Sequence, residues 1–139
     1  MKCSLLIVDD EPKMVKYLSR RLVNRGYKVH TASSGQEALI AIENSPFTVI
    51  LLDVIMPEMN GFETLKRILE MTPTAAVILL TGQQSEQIAA EGKKIGAFDL
   101  VMKPFDLNEL TEKIDLAARY QCQEKVVSEF SGKTTQPER

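Results

Sequence analysis

The chain has 139 residues, 44% hydrophobic and 26% charged, which suffices for one ordinary domain with its own core and leaves no room for a second. A net charge of −2 and a pI near 5.5 argue against the basic face that direct nucleic-acid binding uses, and no apolar run reaches membrane-spanning length. Met1-Lys2-Cys3-Ser4 leads into only a short apolar run, Leu5 to Val8, before Asp9-Asp10-Glu11, so no signal peptide is read, and Cys3 and Cys122 lack metal-ligand spacing and are expected to be reduced thiols of a cytoplasmic protein.

Ser4 to Val8 reads as a short buried strand ending on acids, and Pro12 then opens a helix in which Val15, Leu18, Leu22 and Val23 recur at helical spacing until Gly26. Tyr27 to Thr31 alternates as a strand, and Ser34-Gly35-Gln36-Glu37 is a capping box opening a helix through Asn44. Thr48 to Asp53 is a third strand, apolar until it stops on a carboxylate where Pro57 and Asn60-Gly61 signal a turn. A helix from about Gly61 directs Phe62, Leu65, Ile68 and Leu69 to the core and stops at Thr72-Pro73. Ala75 to Leu80 is continuously apolar and so central, ending on Thr81-Gly82. The helix expected over Ser85 to Ile95 is weakened by Gly92 and has only Ile88 and Ile95 as large apolar residues. Phe98 to Met102 is a fifth strand ending on Lys103-Pro104, and Asp106-Leu107-Asn108-Glu109 opens a last helix whose pattern runs toward Phe130. The polar residues from Ser131 are expected to be disordered, giving a domain over 1–120 and an extension with a polar tail over 121–139.

Strands alternating with helices imply a single doubly wound (βα)5 domain with a five-stranded parallel sheet, in which ligands meet the carboxyl ends of the strands. Four of these ends carry groups suited to phosphate chemistry: Asp9-Asp10, Asp53, Thr81 and Lys103. With the first and third strands adjacent, three carboxylates converge, and a hard divalent cation relieves their repulsion. Mg²⁺ takes one or two carboxylates plus water and phosphate oxygens, which fits Asp10 and Asp53 as direct ligands, with Asp9 direct or through water. Asp53 is then placed as a carboxylate nucleophile toward a phosphoryl donor, Lys103 as the partner of a phosphoryl oxygen, and the Thr81 hydroxyl as a donor to another. A cis Lys103-Pro104 bond would fix where the lysine leaves its strand.

Asp9-Asp10, the run Asp53…Met56-Pro57…Gly61, Thr81-Gly82 and Lys103-Pro104-Phe105 closely resemble the receiver domain of two-component response regulators, over residues 3 to 120. The resemblance implies a flavodoxin-like sheet of order 2-1-3-4-5, Asp53 as phosphoacceptor and the backbone carbonyl of Ile55 as a further Mg²⁺ ligand. It also implies a sensor histidine kinase or phosphotransfer protein as donor, and a downstream protein whose binding changes through Thr81 and the face of the fourth helix and fifth strand. A regulator of this kind is not a turnover enzyme, although it assists its own phosphoryl transfer and dephosphorylation. Two positions depart from the family: Leu100 stands where a Tyr or Phe often precedes the lysine by three residues, and Gly82 follows the threonine in place of Ala or Ser.

Each motif has a blander meaning. Asp9-Asp10 could cap the first helix, Thr81-Gly82 could be a turn, and Lys103 a solvated loop cation; their joint occurrence at strand ends favours chemistry. His30 has no partner at ligand spacing and reads as a surface residue, while Met56, Met59, Met71 and Met102 read as packing residues. An aspartyl-phosphate phosphatase would need an acid two residues after the nucleophile, where Ile55 stands, and a flavodoxin-type binder would need a phosphate loop where the acids lie. Val126, Val127 and Phe130 lie past the expected sheet edge, so the end of the last helix either frays or is covered by a partner, a second copy of the chain being one candidate.

Overall fold

The structure is a computed structural model that describes residues 3–54, 60–82 and 86–131, with side chains through residue 121. Its strands are β1 (Ser4–Val8), β2 (Lys28–Ala32), β3 (Val49–Asp53), β4 (Ala76–Thr81) and β5 (Asp99–Met102), and the helices between and after them are α1 (Pro12–Asn24), α2 (Gly35–Asn44), α3 (Gly61–Met71), α4 (Glu86–Ile95) and α5 (Leu107–Ser131). All the strands are parallel, in the order β2-β1-β3-β4-β5. The apolar runs of β3 and β4 are buried at every residue, as expected of central strands covered on both faces.

Strand pleating sorts the core into two layers. Leu5, Ile7, Val49, Leu51, Ala76, Ile78, Leu80 and Val101 pack with Leu18 and Leu22 of α1 and with Leu110, Ile114 and Ala117 of α5. Leu6, Val8, Ile50, Leu52, Val77 and Leu79 pack with Ala38 and Ile42 of α2 and Leu65 and Ile68 of α3, and Leu100 lies against this second layer. Side chains in register on adjacent strands, such as Ile7 with Leu51 and Leu51 with Ile78, continue each layer across the sheet.

The helix starts follow the sequence signals with local adjustments. Ser34 caps α2 by accepting from Glu37 N at 3.1 Å, but the Glu37 carboxylate reaches back to Ser33 N at 2.7 Å, one residue beyond the usual reciprocal partner. Asn60 accepts from Phe62 N at 2.7 Å at the start of α3, and Asp106 accepts from Asn108 N at 3.0 Å at the start of α5.

Several sequence expectations are corrected. Val23 is 53% exposed, because at the end of α1 its position has rotated away from the stripe of Leu18 and Leu22. Tyr27 precedes β2 and turns its hydroxyl to Asp115 of α5, which also receives Arg25 at 2.7 Å, so it closes a tie between the loop after α1 and α5. Thr81 is the last residue of β4, paired in register with Met102, so the strand runs one residue further than its apolar stretch. Gly92 is buried, and a Cβ there would stand 2.6 Å from Leu79 Cδ1; the residue read as a weak point is one where α4 lies too close to a sheet side chain for anything larger.

Candidate functional site

The pleat that sorts the core also places the chemistry. Asp9 follows β1 in the parity of Leu5 and Ile7, Asp53 ends β3 in that of Val49 and Leu51, and Lys103 follows β5 in that of Val101, so all three leave the sheet on the side of α1 and α5. Thr81 has the parity of Val77 and Leu79, the other layer, which it shares with Leu100. The register pairs Asp53 with Leu80, Leu80 with Val101 and Thr81 with Met102, so Thr81 lies one step and Lys103 two steps beyond the row that ends on Asp53.

Asp9 is 1% exposed and Asp53 5%, an unusual degree of burial for carboxylates, while Asp10 is exposed beside them. One oxygen from each lies within 4.8 Å of the others. Lys103 answers this charge: its Nζ donates to Asp9 Oδ2 at 3.0 Å and to Asp53 Oδ2 at 3.3 Å, with Glu11 Oε1 3.9 Å away. Burial pushes the pKa of this ammonium down, but the hydrogen bond and charge of Asp9, and then the charge and hydrogen bond of Asp53, outweigh it and leave the pKa raised. The lysine is therefore a fixed positive charge throughout the neutral range.

Asp9 Oδ1 also accepts from Glu11 N at 3.0 Å, so both carboxylate oxygens have a donor, and the backbone N–H of Asp9 donates to Ala32 O at 3.1 Å. The bland reading of Asp9-Asp10 as a helix cap is not realised, since the residue at the cap of α1 is Glu11 and it makes no side-chain capping bond. Lys103 N donates to Thr81 O at 2.7 Å and Val54 N to Leu80 O at 2.9 Å, tying the ends of β3, β4 and β5 together. The Lys103-Pro104 bond is cis. At the other side of the site, the start of α3 is pressed onto the end of β3, where a Cβ on Gly61 would meet Val54 O at 2.2 Å, so only glycine permits this approach.

Asp9, Asp10, Asp53 and Lys103 are thus brought together, and Thr81 is fully buried at the adjoining strand end. Ile55, Met56, Pro57 and Met59 lie outside the described residues. Glu11 is the member of the charge cluster that sequence reasoning did not single out; its signal was adjacency to Asp9-Asp10. His30 is exposed with its ring edge-on to Phe47, away from the cluster. Three carboxylates with a hard oxygen donor set, one of them open to solvent, suit a hard divalent cation that would share Asp9 and Asp53 with the ammonium.

Residues 5–115 match the family model of the response regulator receiver domain. Among curated proteins, the regulatory protein AtoC of Escherichia coli is 37% identical over 123 residues, which make up 88% of this chain and 27% of AtoC. The uncharacterized transcriptional regulatory protein YkoG of Bacillus subtilis is 38% identical over 118 residues, 85% of this chain and 52% of YkoG. The chain spans from about a quarter to about half of the length of these relatives. Among solved structures, the chemotaxis protein CheY4 of Vibrio cholerae superimposes with a TM-score of 0.80 at 33% identity, covering 84% of this chain and 99% of that one.

Proposed function

The chain belongs to the response regulator receiver domain family, and from that premise we propose that it is a phosphorylation-dependent switch in which Asp53 accepts a phosphoryl group from the phosphohistidine of a sensor histidine kinase or a phosphotransfer protein. The observation that carries the reading is the packing of Asp9, Asp10 and Asp53 around one ammonium, Lys103, at the carboxyl ends of β1, β3 and β5. Residues 1–120 act as the receiver and 121–139 as an extension. Among the described residues no helix is long and apolar enough to cross a membrane.

Asp10 and Asp53, with Asp9 directly or through water and the carbonyl of Ile55, are the residues that would hold Mg²⁺. When bound, the cation neutralises charge on the oxygens of the transferring group. A carboxylate oxygen of Asp53 attacks phosphorus, the P–N bond to the imidazole breaks, and its electron pair stays on the departing nitrogen. Lys103 exchanges its contact with Asp53 for one with a phosphoryl oxygen, which keeps its charge compensated as the product forms. The Thr81 hydroxyl donates to a second oxygen, and favouring the conformer with Thr81 drawn toward Asp53 shifts the surface of α4 and β5 that a downstream protein reads. Leu100 lacks the ring and hydroxyl that many relatives carry there, so more of the change falls on the backbone after Thr81 and on α4.

Treatment with acetyl phosphate and Mg²⁺ followed by intact-mass measurement tests the assignment. The wild-type protein takes one phosphoryl group, Asp53→Asn takes none, Asp10→Asn takes it slowly, and Lys103→Arg does not signal, because a planar fork cannot replace a compact ammonium. A full adduct on Asp53→Asn would overturn the site, and steady phosphate release over many turnovers would make the protein a phosphatase.

A further inference from the structure

Glu11 is a charged side chain beside the site that neither the fold nor the proposed reaction uses. Its backbone is pinned: the N–H donates to Asp9 Oδ1 at 3.0 Å, the carbonyl accepts from Val15 N at 3.1 Å, and Pro12 follows it at the start of α1. Its side chain makes no capping bond, stands outside the group of Asp9, Asp10 and Asp53 that could hold a cation, and is 64% exposed. Among the described residues the one ion-pair partner it reaches is Lys103, whose Nζ lies 3.9 Å from Glu11 Oε1. That ammonium is in turn 3.3 Å from Asp53 Oδ2, which puts Glu11 Oε1 at most about 7 Å from the same oxygen. Lys103 is only 19% exposed, so a phosphoryl donor arriving from solvent meets the Glu11 carboxylate before it meets the lysine.

Charge separates the donors that could reach Asp53. An acyl phosphate is a dianion at neutral pH. When Asp53 attacks its phosphorus, the P–O bond to the acyl oxygen breaks and a carboxylate leaves with the electron pair, carrying its negative charge out past Glu11. A phosphorus–nitrogen donor such as phosphoramidate holds protons on nitrogen and bears a single net negative charge; its P–N bond breaks, the electron pair stays on nitrogen, and ammonia leaves uncharged. The imidazole of a phosphohistidine is a leaving group of this second kind, since its ring can carry a proton. A fixed negative charge roughly 8 Å away in water-like surroundings opposes the dianion twice as strongly as the single charge. Resting on the reading of Asp53 as phosphoacceptor, we propose that Glu11 is a specificity-determining residue that slows transfer from dianionic acyl phosphates more than transfer from phosphorus–nitrogen donors.

Initial rates of phosphorylation of the full chain, followed by intact mass at a fixed saturating Mg²⁺ concentration, test this with acetyl phosphate and phosphoramidate as the two donors. Glu11→Gln keeps the backbone contacts and removes the charge. At an ionic strength of about 0.03 M it should speed transfer from acetyl phosphate about threefold and from phosphoramidate a little under twofold. Glu11→Lys should speed them about ninefold and threefold, so that the preference for phosphoramidate falls about threefold. At about 1 M salt, where screening acts within roughly 3 Å, both variants should approach the wild type with both donors. If Glu11 acted only by holding Lys103 in place, the two donors would change by one factor at either salt concentration. An equal change for both donors, or none, would overturn the inference while a wild type that still takes its phosphoryl group upholds the proposed function. A wild type that accepts from neither donor would overturn the proposed function, and this inference with it.

Discussion

Replacing Lys103 by Met should destabilise the metal-free protein and, in doing so, strengthen its hold on Mg²⁺. The side chain is only 19% exposed, and its Nζ lies 3.0 Å from Asp9 Oδ2 and 3.3 Å from Asp53 Oδ2. At an effective dielectric constant of about 20, each contact is worth roughly 5 kcal/mol before desolvation is counted. Much of that is offset by the cost of taking the ammonium from water. Removing one partner of a buried pair nevertheless costs about 3 to 5 kcal/mol, because the remaining charges are left uncompensated. With part of the lysine open to solvent, about 3 kcal/mol is the expected loss, a shift of roughly 2 M in a urea midpoint for an m-value near 1.5 kcal/mol/M.

The pKa of Lys103 is raised above 10.5, so its contribution is present in full below that value and is lost as pH climbs through the raised pKa. The difference between wild type and Lys103→Met should therefore stay flat from about pH 7 to 9. Mg²⁺ at about 100 times its dissociation constant adds close to 2.7 kcal/mol to any protein that binds it only when folded. The ammonium and the cation draw on the same carboxylates, so at equal Mg²⁺ the gain should be larger for the variant. Urea unfolding in EDTA and in Mg²⁺, at low salt, measures both effects. Equal stability of the two proteins in EDTA, or equal stabilisation by Mg²⁺, would refute the account of Lys103 as the counter-ion of Asp9 and Asp53.

Glycine positions divide by what lies in front of them. Gly61→Ala should cost about 2 to 3 kcal/mol, since its Cβ would meet Val54 O at 2.2 Å, whereas Gly82→Ala meets nothing within 4 Å and should be neutral within about 0.5 kcal/mol; thermal unfolding of both variants checks the contrast. The Tyr27 pKa is raised chiefly by burial and then by its hydrogen bond to Asp115, so in an ultraviolet titration one tyrosine should ionise well above the usual range. Because that pKa is raised, the associated stability is whole below pH 10.0 and falls as pH rises further; Asp115→Asn should bring the tyrosine down while burial keeps it above the ordinary value.

The fold was legible because its signals were local and agreed with one another. Apolar runs marked the central strands, Pro12, Ser34 and Asp106 marked helix starts, and polar residues at the strand ends marked the site. Tertiary contacts carried what was not legible. Nothing near Gly92 in the chain announces that Leu79 stands where its side chain would be, and propensity alone made the residue look like a defect. Tyr27 looked like the start of a strand because its partner, Asp115, lies at the other end of the sequence. The site residues could be named from spacing, yet the contact of Lys103 with Asp9 at 3.0 Å depends on the order of the strands, which composition alone does not reveal.

The two-sided pleat also governs which changes in length this chain can absorb. Deleting or inserting one residue inside β3 would carry Asp53 from the layer of α1 and α5 to the layer of α2 and α3, away from Lys103, and would turn every apolar side chain of a fully buried strand to the opposite layer. The same slip in β4 would exchange Thr81 with its neighbour Leu80. A residue added between α2 and β3, at 45–48, or between α3 and β4, at 72–75, alters neither parity and lengthens only a connection, where each doubling costs about 0.6 kcal/mol. Drift among descendants of this sequence should thereby be channelled: strand lengths should behave as a frozen count, and gaps in an alignment should collect at the amino-terminal edge of the sheet, the end remote from the Asp53 cluster.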